Sequence, residues 1–236
     1  MNILLAIYNN QIFWTVVLTV YALAVTRLTE YPYRWMTARG VEESVAVYYD
    51  RKIVHMLAGG VVLFVVPFVF KGGNFPFPYI YPLIIGLVLS IFTLIPHFTG
   101  NLLEWVQVEK NRNEVHFCFM WGVTVFVLWI AFDNPWVAII PPIFMAFGDG
   151  ITGVVRNIVY ARRTKSFIGN IFMLAVCAPA GFFLARAGGI AFWGLIAAFV
   201  ASYIERYEFG PIDDNVLITV SSSLVLYVGH LVGPIA

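Results

Sequence analysis

Long apolar runs alternate with short polar ones along this chain. The runs cover 3–25, 53–70, 79–98, 115–132, 136–155, 167–187, 190–204 and 216–233, and each holds at most one charged residue. A helix needs about 20 apolar residues to cross the hydrocarbon core of a bilayer. The pattern therefore predicts eight membrane spans, with seven to nine allowed by the uncertain ends. The expected fold is an all-α polytopic transmembrane helical bundle in a single domain over 1–236. The 190–204 run is short and reaches span length only by extending into the next loop. Breaks are marked by Lys71-Gly72-Gly73-Asn74, by Asp133-Asn134-Pro135 and by Gly188-Gly189, while Pro141-Pro142 interrupts the fifth span.

Of the 14 Lys and Arg residues, 12 fall in four polar segments, 26–52, 99–114, 156–166 and 205–215. They are Arg27, Arg34, Arg39, Arg51, Lys52, Lys110, Arg112, Arg156, Arg162, Arg163, Lys165 and Arg206, whereas Lys71 and Arg186 fall on the opposite side. Basic residues accumulate in cytoplasmic loops. The four segments are thus expected in the cytoplasm and both termini on the non-cytoplasmic side.

Composition agrees with a membrane protein. The chain is 61% hydrophobic and 11% charged, with a mean hydropathy of +0.84, and that charged share is less than half of what a soluble domain carries. A net charge of +1 supplies no broad basic surface for nucleic acid. Cys118 and Cys177 lie in separate apolar runs without metal-ligand spacing and read as small core residues. The first run has no preceding positive charge, so it is expected to be a retained span rather than a signal peptide.

The polar segments carry nearly all the residues fit for chemistry. Asp149, in Phe147-Gly148-Asp149-Gly150, sits inside an apolar run seven residues before Arg156. At 1.5 Å per residue that is about 10 Å below the surface. A carboxylate there needs water, a cation or a partner, so it is either functional or half of a structural ion pair. Gly148 and Gly150 allow close backbone approach by a ligand. Arg51, Lys52 and His55 open the second span; two cations and an imidazole on one helical face suit phosphate oxygens, though Arg51 and Lys52 also fit a topology signal. Arg156, Asn157, Arg162, Arg163, Lys165 and Ser166 precede Gly169 and Asn170; they fit a topology signal or a polyphosphate cradle, the latter without the glycines of a Walker A loop. Glu205 with Asp213, Asp214 and Asn215 suggests a hard cation such as Mg²⁺; one of the last three also fits a helix cap. Glu114 and His116 are further site candidates on the second cytoplasmic loop. His97 and His230 read as isolated and structural.

Taken in order, Arg51-Lys52-x-x-His55, Gly148-Asp149-Gly150, Lys165-Ser166-x-x-Gly169-Asn170 and Glu205 before Asp213-Asp214-Asn215 resemble the polyprenol kinase family. That family includes dolichol kinases, phytol kinases and CTP-dependent diacylglycerol kinases. Val155-Arg156-Asn157 stands where a Gly-Arg pair is common in eukaryotic members, and the form is similar to archaeal ones. The resemblance implies a multi-pass kinase of an archaeal cell membrane. It would transfer phosphate from CTP, with Mg²⁺ or Mn²⁺, to dolichol, another polyprenol, phytol or geranylgeraniol at the cytoplasmic face. Asp149 and Asp213 or Asp214 would then hold the metal, supported by Glu205 and Asn215. Arg51, Lys52, Arg156 and Lys165 would bind the triphosphate, His55 would orient a phosphate or an acid, and Asp149 would be the first choice of general base.

Two rivals remain at this stage. A cytidylyltransferase making a CDP-lipid needs nearly the same groups, although its His-Gly-Gly and Asp-Arg-x-Asp signature is absent. A transporter would use Asp149 and Pro141-Pro142, but should show polar residues on both sides of the midplane.

Overall fold

The computed structural model of the chain describes residues 10–70, 77–160, 164–210 and 212–235. Part of the expected first span, the Lys71–Asn74 break, Arg162 and Arg163 lie outside the described residues. Those described are almost entirely helical, in the order α1 (Gln11–Leu28), α2 (Glu30–Ala38), α3 (Glu43–Val54), α4 (Val61–Val69), α5 (Ile80–Thr99) and α6 (Asn113–Phe132). There follow α7 (Pro135–Ala138), α8 (Ile140–Ile143), α9 (Asp149–Tyr160), α10 (Phe167–Ala185), α11 (Ala191–Ile204) and α12 (Asp214–Val232).

Seven of the resulting helical units are long and apolar enough to cross a membrane; α11, at 14 residues, is shorter. Two of the seven are interrupted by a π-helical segment. A π-helical segment, His55–Gly60, joins α3 to α4, and another, Phe144–Gly148, joins α8 to α9. π turns widen a helix by one residue and recur at functional sites. Here the two segments touch, because Gly60 has no Cβ to collide with the Phe147 ring. The Gly59 carbonyl of the first accepts the Trp121 indole N–H at 3.1 Å.

The span Pro135–Tyr160 is central: 83% of its most apolar window is buried, against 17% for Gln11–Ala38. Ile139, Ile140, Ile143, Phe144 and Met145 form the middle of the core. Helices around it cross closely at small residues, as membrane helices do. A Cβ on Gly86 of α5 would lie 2.6 Å from the Gly122 Cα of α6, and Gly181 of α10 meets the Gly194 backbone of α11.

The first and third polar segments differ from expectation. Most of 26–52 is helical, and the fifth span runs on to Tyr160. Lys52 and Arg156 therefore lie inside long helices and are buried, rather than in loops at the head-group level. Both are drawn inward because each has a buried carboxylate to meet.

Candidate functional site

Two polar stripes face each other across the α3–α9 contact. On α3 and the π turn after it, Tyr48, Arg51, Lys52 and His55 are spaced to share one helical face. On α9, Asp149, Thr152, Gly153, Arg156 and Asn157 do the same, and all five are buried. The stripes meet where Lys52 Nζ lies 2.5 Å from Asp149 Oδ2. Gly153 makes this contact possible, since a Cβ there would be 2.5 Å from Lys52 Cε and 2.9 Å from the Tyr48 hydroxyl.

A second pair is built on Arg156, seven residues or about two helical turns further along α9 toward the polar end. Arg156 Nη1 and Nη2 each donate to one Glu205 carboxylate oxygen at 2.7 Å, a bidentate fork. The same guanidinium donates to the Ser166 carbonyl at 3.0 Å and to Asn170 Oδ1 at 3.2 Å. Gly169 leaves the room it occupies. Asn170 also donates to Glu205 Oε2 and to the Ser202 carbonyl, tying α10 to α11.

Lys165 closes the set. Its Nζ donates to Asp214 Oδ2 at 2.6 Å and to the Glu205 carbonyl at 2.9 Å, and lies 3.3 Å from Glu205 Oε1. Burial disfavours the ammonium, but Asp214 and Glu205 outweigh it and hold the lysine above its usual range. Carboxylate oxygens of Asp149, Glu205 and Asp214 lie within 4.8 Å of one another. Three acidic and three basic groups from distant parts of the chain thus form one buried, nearly neutral cluster.

A cavity of about 200 Å³ opens beside it, lined by Arg51, Lys52, His55, Asp149, Asn157, Lys165, Asp214 and Asn215 among others. Several polar atoms on this wall have no hydrogen-bond partner among the described residues: both side-chain atoms of Asn157, Asn215 Oδ1 and both nitrogens of His55. His55 Nδ1 is 3.6 Å from Asp149 Oδ2, and its ring stacks on Phe117 with centroids 3.9 Å apart. Arg51 bonds only weakly to Asn111 Oδ1, at 3.4 Å, and meets no carboxylate among the described residues. Buried polar groups left without hydrogen bonds are costly, so these atoms call for water or a ligand as partner.

Several expected roles need correction. Arg156 spends its donors on Glu205, Asn170 and Ser166 and is 1% exposed, so it organises the cluster instead of presenting a free cation. Gly148, Gly150 and Gly169 admit protein groups, not a ligand: Cys177 and Met173, Met56, and Arg156 respectively. Ser166 contributes its carbonyl to Arg156, while its buried hydroxyl makes no hydrogen bond among the described residues. Asp213 is the cap of α12, accepting from the Val216 N–H at 3.2 Å, and lies 3.1 Å from His116 Nδ1. Burial and then Asp214 raise its pKa. Asp213 and Asn215 are therefore outside the carboxylate trio, although Asn215 lines the cavity. His116 belongs with Asp213. Glu114 is bound by His97 at 2.6 Å and by Gln107 at 3.0 Å, so His97 is not isolated.

Sequence reading missed Tyr48, Gly153 and Asp50. The first two carry the stripe spacing and were legible from it. Asp50 is fully buried with both oxygens unpartnered among the described residues, and no motif marked it. Comparison with known proteins returns no match to any family model, curated protein or solved structure.

Proposed function

We propose that this chain is a membrane phosphotransferase that moves the γ-phosphoryl group of CTP to a lipid alcohol. The observation that carries the reading is the cavity wall, where Arg51, Asn215 with its unmet Oδ1, and Asn157 and His55 with no hydrogen bond among the described residues adjoin the Asp149–Glu205–Asp214 trio. Phosphoryl transfer needs this mixture: cations for the phosphates, acidic ligands for a divalent ion, and a group to take the hydroxyl proton.

The donor chemistry suits a hard cation, because three carboxylates from three segments bring their oxygens within 4.8 Å. Asp149 and Asp214, which line the cavity, would hold Mg²⁺ or Mn²⁺, with Glu205 behind them. When bound, the ion neutralises charge building on the transferring phosphoryl group.

The chain's own residues supply the rest. Arg51, uncommitted to any carboxylate, binds phosphate oxygens, and Lys52 and Lys165 share theirs between phosphate and carboxylate. Asn157 and Asn215 hydrogen-bond the nucleotide. Asp149, the first choice of base from sequence, is engaged by Lys52 at 2.5 Å. In this reading His55 takes the proton of the acceptor hydroxyl on Nε2, with Nδ1–H turned toward Asp149. The preference for CTP, the isoprenoid nature of the alcohol and an archaeal source rest on the polyprenol kinase resemblance, and the cytoplasmic placement on the basic-residue excess.

The test uses purified protein in detergent with Mg²⁺, lipid alcohols and diacylglycerol, and CTP labelled at either the α or the γ phosphorus. Label reaching lipid from the γ position supports the kinase. Label from the α position, with phosphatidic acid as acceptor, makes it a cytidylyltransferase. One observation favours a second reading: each trio carboxylate already has a basic partner, as a static ionic lock would require. Such a lock has no use for an unpartnered Asn157, and it predicts no transfer from either label.

A further inference from the structure

A second cavity, of about 70 Å³, lies between α1, the π turn, α5 and α6. It shares two lining residues with the polar cavity, Arg51 and His55, so the His55 ring is a partition with Asp149 on one side and Phe117 on the other. Its polarity is graded. Arg51, His55, Gln107 and Glu114 line one end, and Glu114 Oε2 is buried there without a partner among the described residues. Val62 and Trp121 lie seven residues further along their helices than His55 and Glu114, about 10 Å deeper. That end is otherwise apolar, with Ala58 and Ile85 on the wall.

We propose that this slot is the acceptor subsite, taking one single-chain lipid alcohol end-on. The hydroxyl lies between His55 and Glu114, and the hydrocarbon runs down past Ala58 toward Val62 and Trp121. This rests on the kinase reading for its chemistry but not for its shape. An amphiphile matches the gradient, since its hydroxyl satisfies atoms that are otherwise orphaned and its tail meets apolar walls. At room for on the order of five water-sized centres, the slot accepts one chain, not two side by side. Sharing His55 and Arg51 with the nucleotide side brings the hydroxyl to the partition where a γ-phosphate would stand.

Hexadecanol carrying a diazirine at its tail is the probe. Photolysed with the wild-type protein in detergent and mapped by mass spectrometry, it should label residues around Ala58, Val62 and Trp121. Unlabelled hexadecanol should compete, and diacylglycerol should not. Ala58→Phe, or Ala22→Phe from α1, should cut that labelling at least about fivefold, as filling a packed site displaces its contents. Labelling confined to a separate apolar groove between α6 and α12, lined by Val127, Val220 and Leu224 among others, equal competition by diacylglycerol, or undiminished labelling in a folded Ala58→Phe protein would overturn the inference. Labelling in the slot without transfer from CTP would leave it standing and sink the kinase reading; transfer with labelling elsewhere would do the reverse.

Discussion

Lys52 Nζ and Asp149 Oδ2 lie 2.5 Å apart, both buried, on residues separated by 97 positions. Their pairing joins the two interrupted helices and sets the depth of the polar site. It also satisfies the demand that sequence placed on Asp149, a carboxylate in an apolar run.

Breaking this pair should cost far more than deleting it. Removing one member of a buried pair typically costs about 3–5 kcal/mol, because the other charge is left unpaired. Lys52→Met and Asp149→Asn should each lower the melting temperature in detergent sharply. The double variant Lys52→Met/Asp149→Asn should recover at least half of the loss. Additive losses in that cycle would mean the two groups do not act as a pair.

Asn157→Ala should behave in the opposite sense. Both polar atoms of this side chain are buried without partners among the described residues, so truncating it removes a cost of folding. Thermal stability should stay level or rise, while turnover with CTP falls more than about tenfold, the loss of one ligand hydrogen bond or more. A large drop in melting temperature would show that Asn157 is structural.

Gly169→Ala tests the Arg156 fork. The new methyl would displace the guanidinium from Glu205, and we expect a destabilisation of about 2–4 kcal/mol, the range of a disturbed buried network. Arg156→Lys should not rescue function, because an ammonium cannot make the bidentate contact. Chemical denaturation and turnover, measured together, check both statements.

Arg51→Gln should leave the fold intact, since among the described residues Arg51 has only a 3.4 Å hydrogen bond to Asn111 to lose. The KM for nucleotide should rise about tenfold or more, in line with the loss of a charge-assisted phosphate contact. An unchanged KM would remove Arg51 from the phosphate site.

How much was legible beforehand can be traced residue by residue. Asp149 was marked because its cost inside an apolar run can be read without neighbours. Asp214 and Glu205 were marked by the presence of carboxylates beside a span, yet Asp213 was grouped with them, since capping and ligation use the same side chain. The stripe of 149, 152, 153, 156 and 157 was present in the spacing, but the assumed end of the fifth span cut it in two. Gly148, Gly150 and Gly169 looked like openings for a ligand; only packing shows that each opening is filled by a neighbouring side chain.

Sequence alone determined that this is a chain of apolar helices with its charged residues gathered in a few short segments, because hydropathy and charge are local properties summed over a window. Tertiary structure alone decided which cation faces which carboxylate, because those contacts depend on the crossing of helices far apart in the chain. It also decided that Arg156 is spent on a carboxylate while Arg51 meets none among the described residues, and that the imidazole of His55 divides a polar cavity from a largely apolar one. Charge counts cannot distinguish a satisfied cation from an unsatisfied one; distance does.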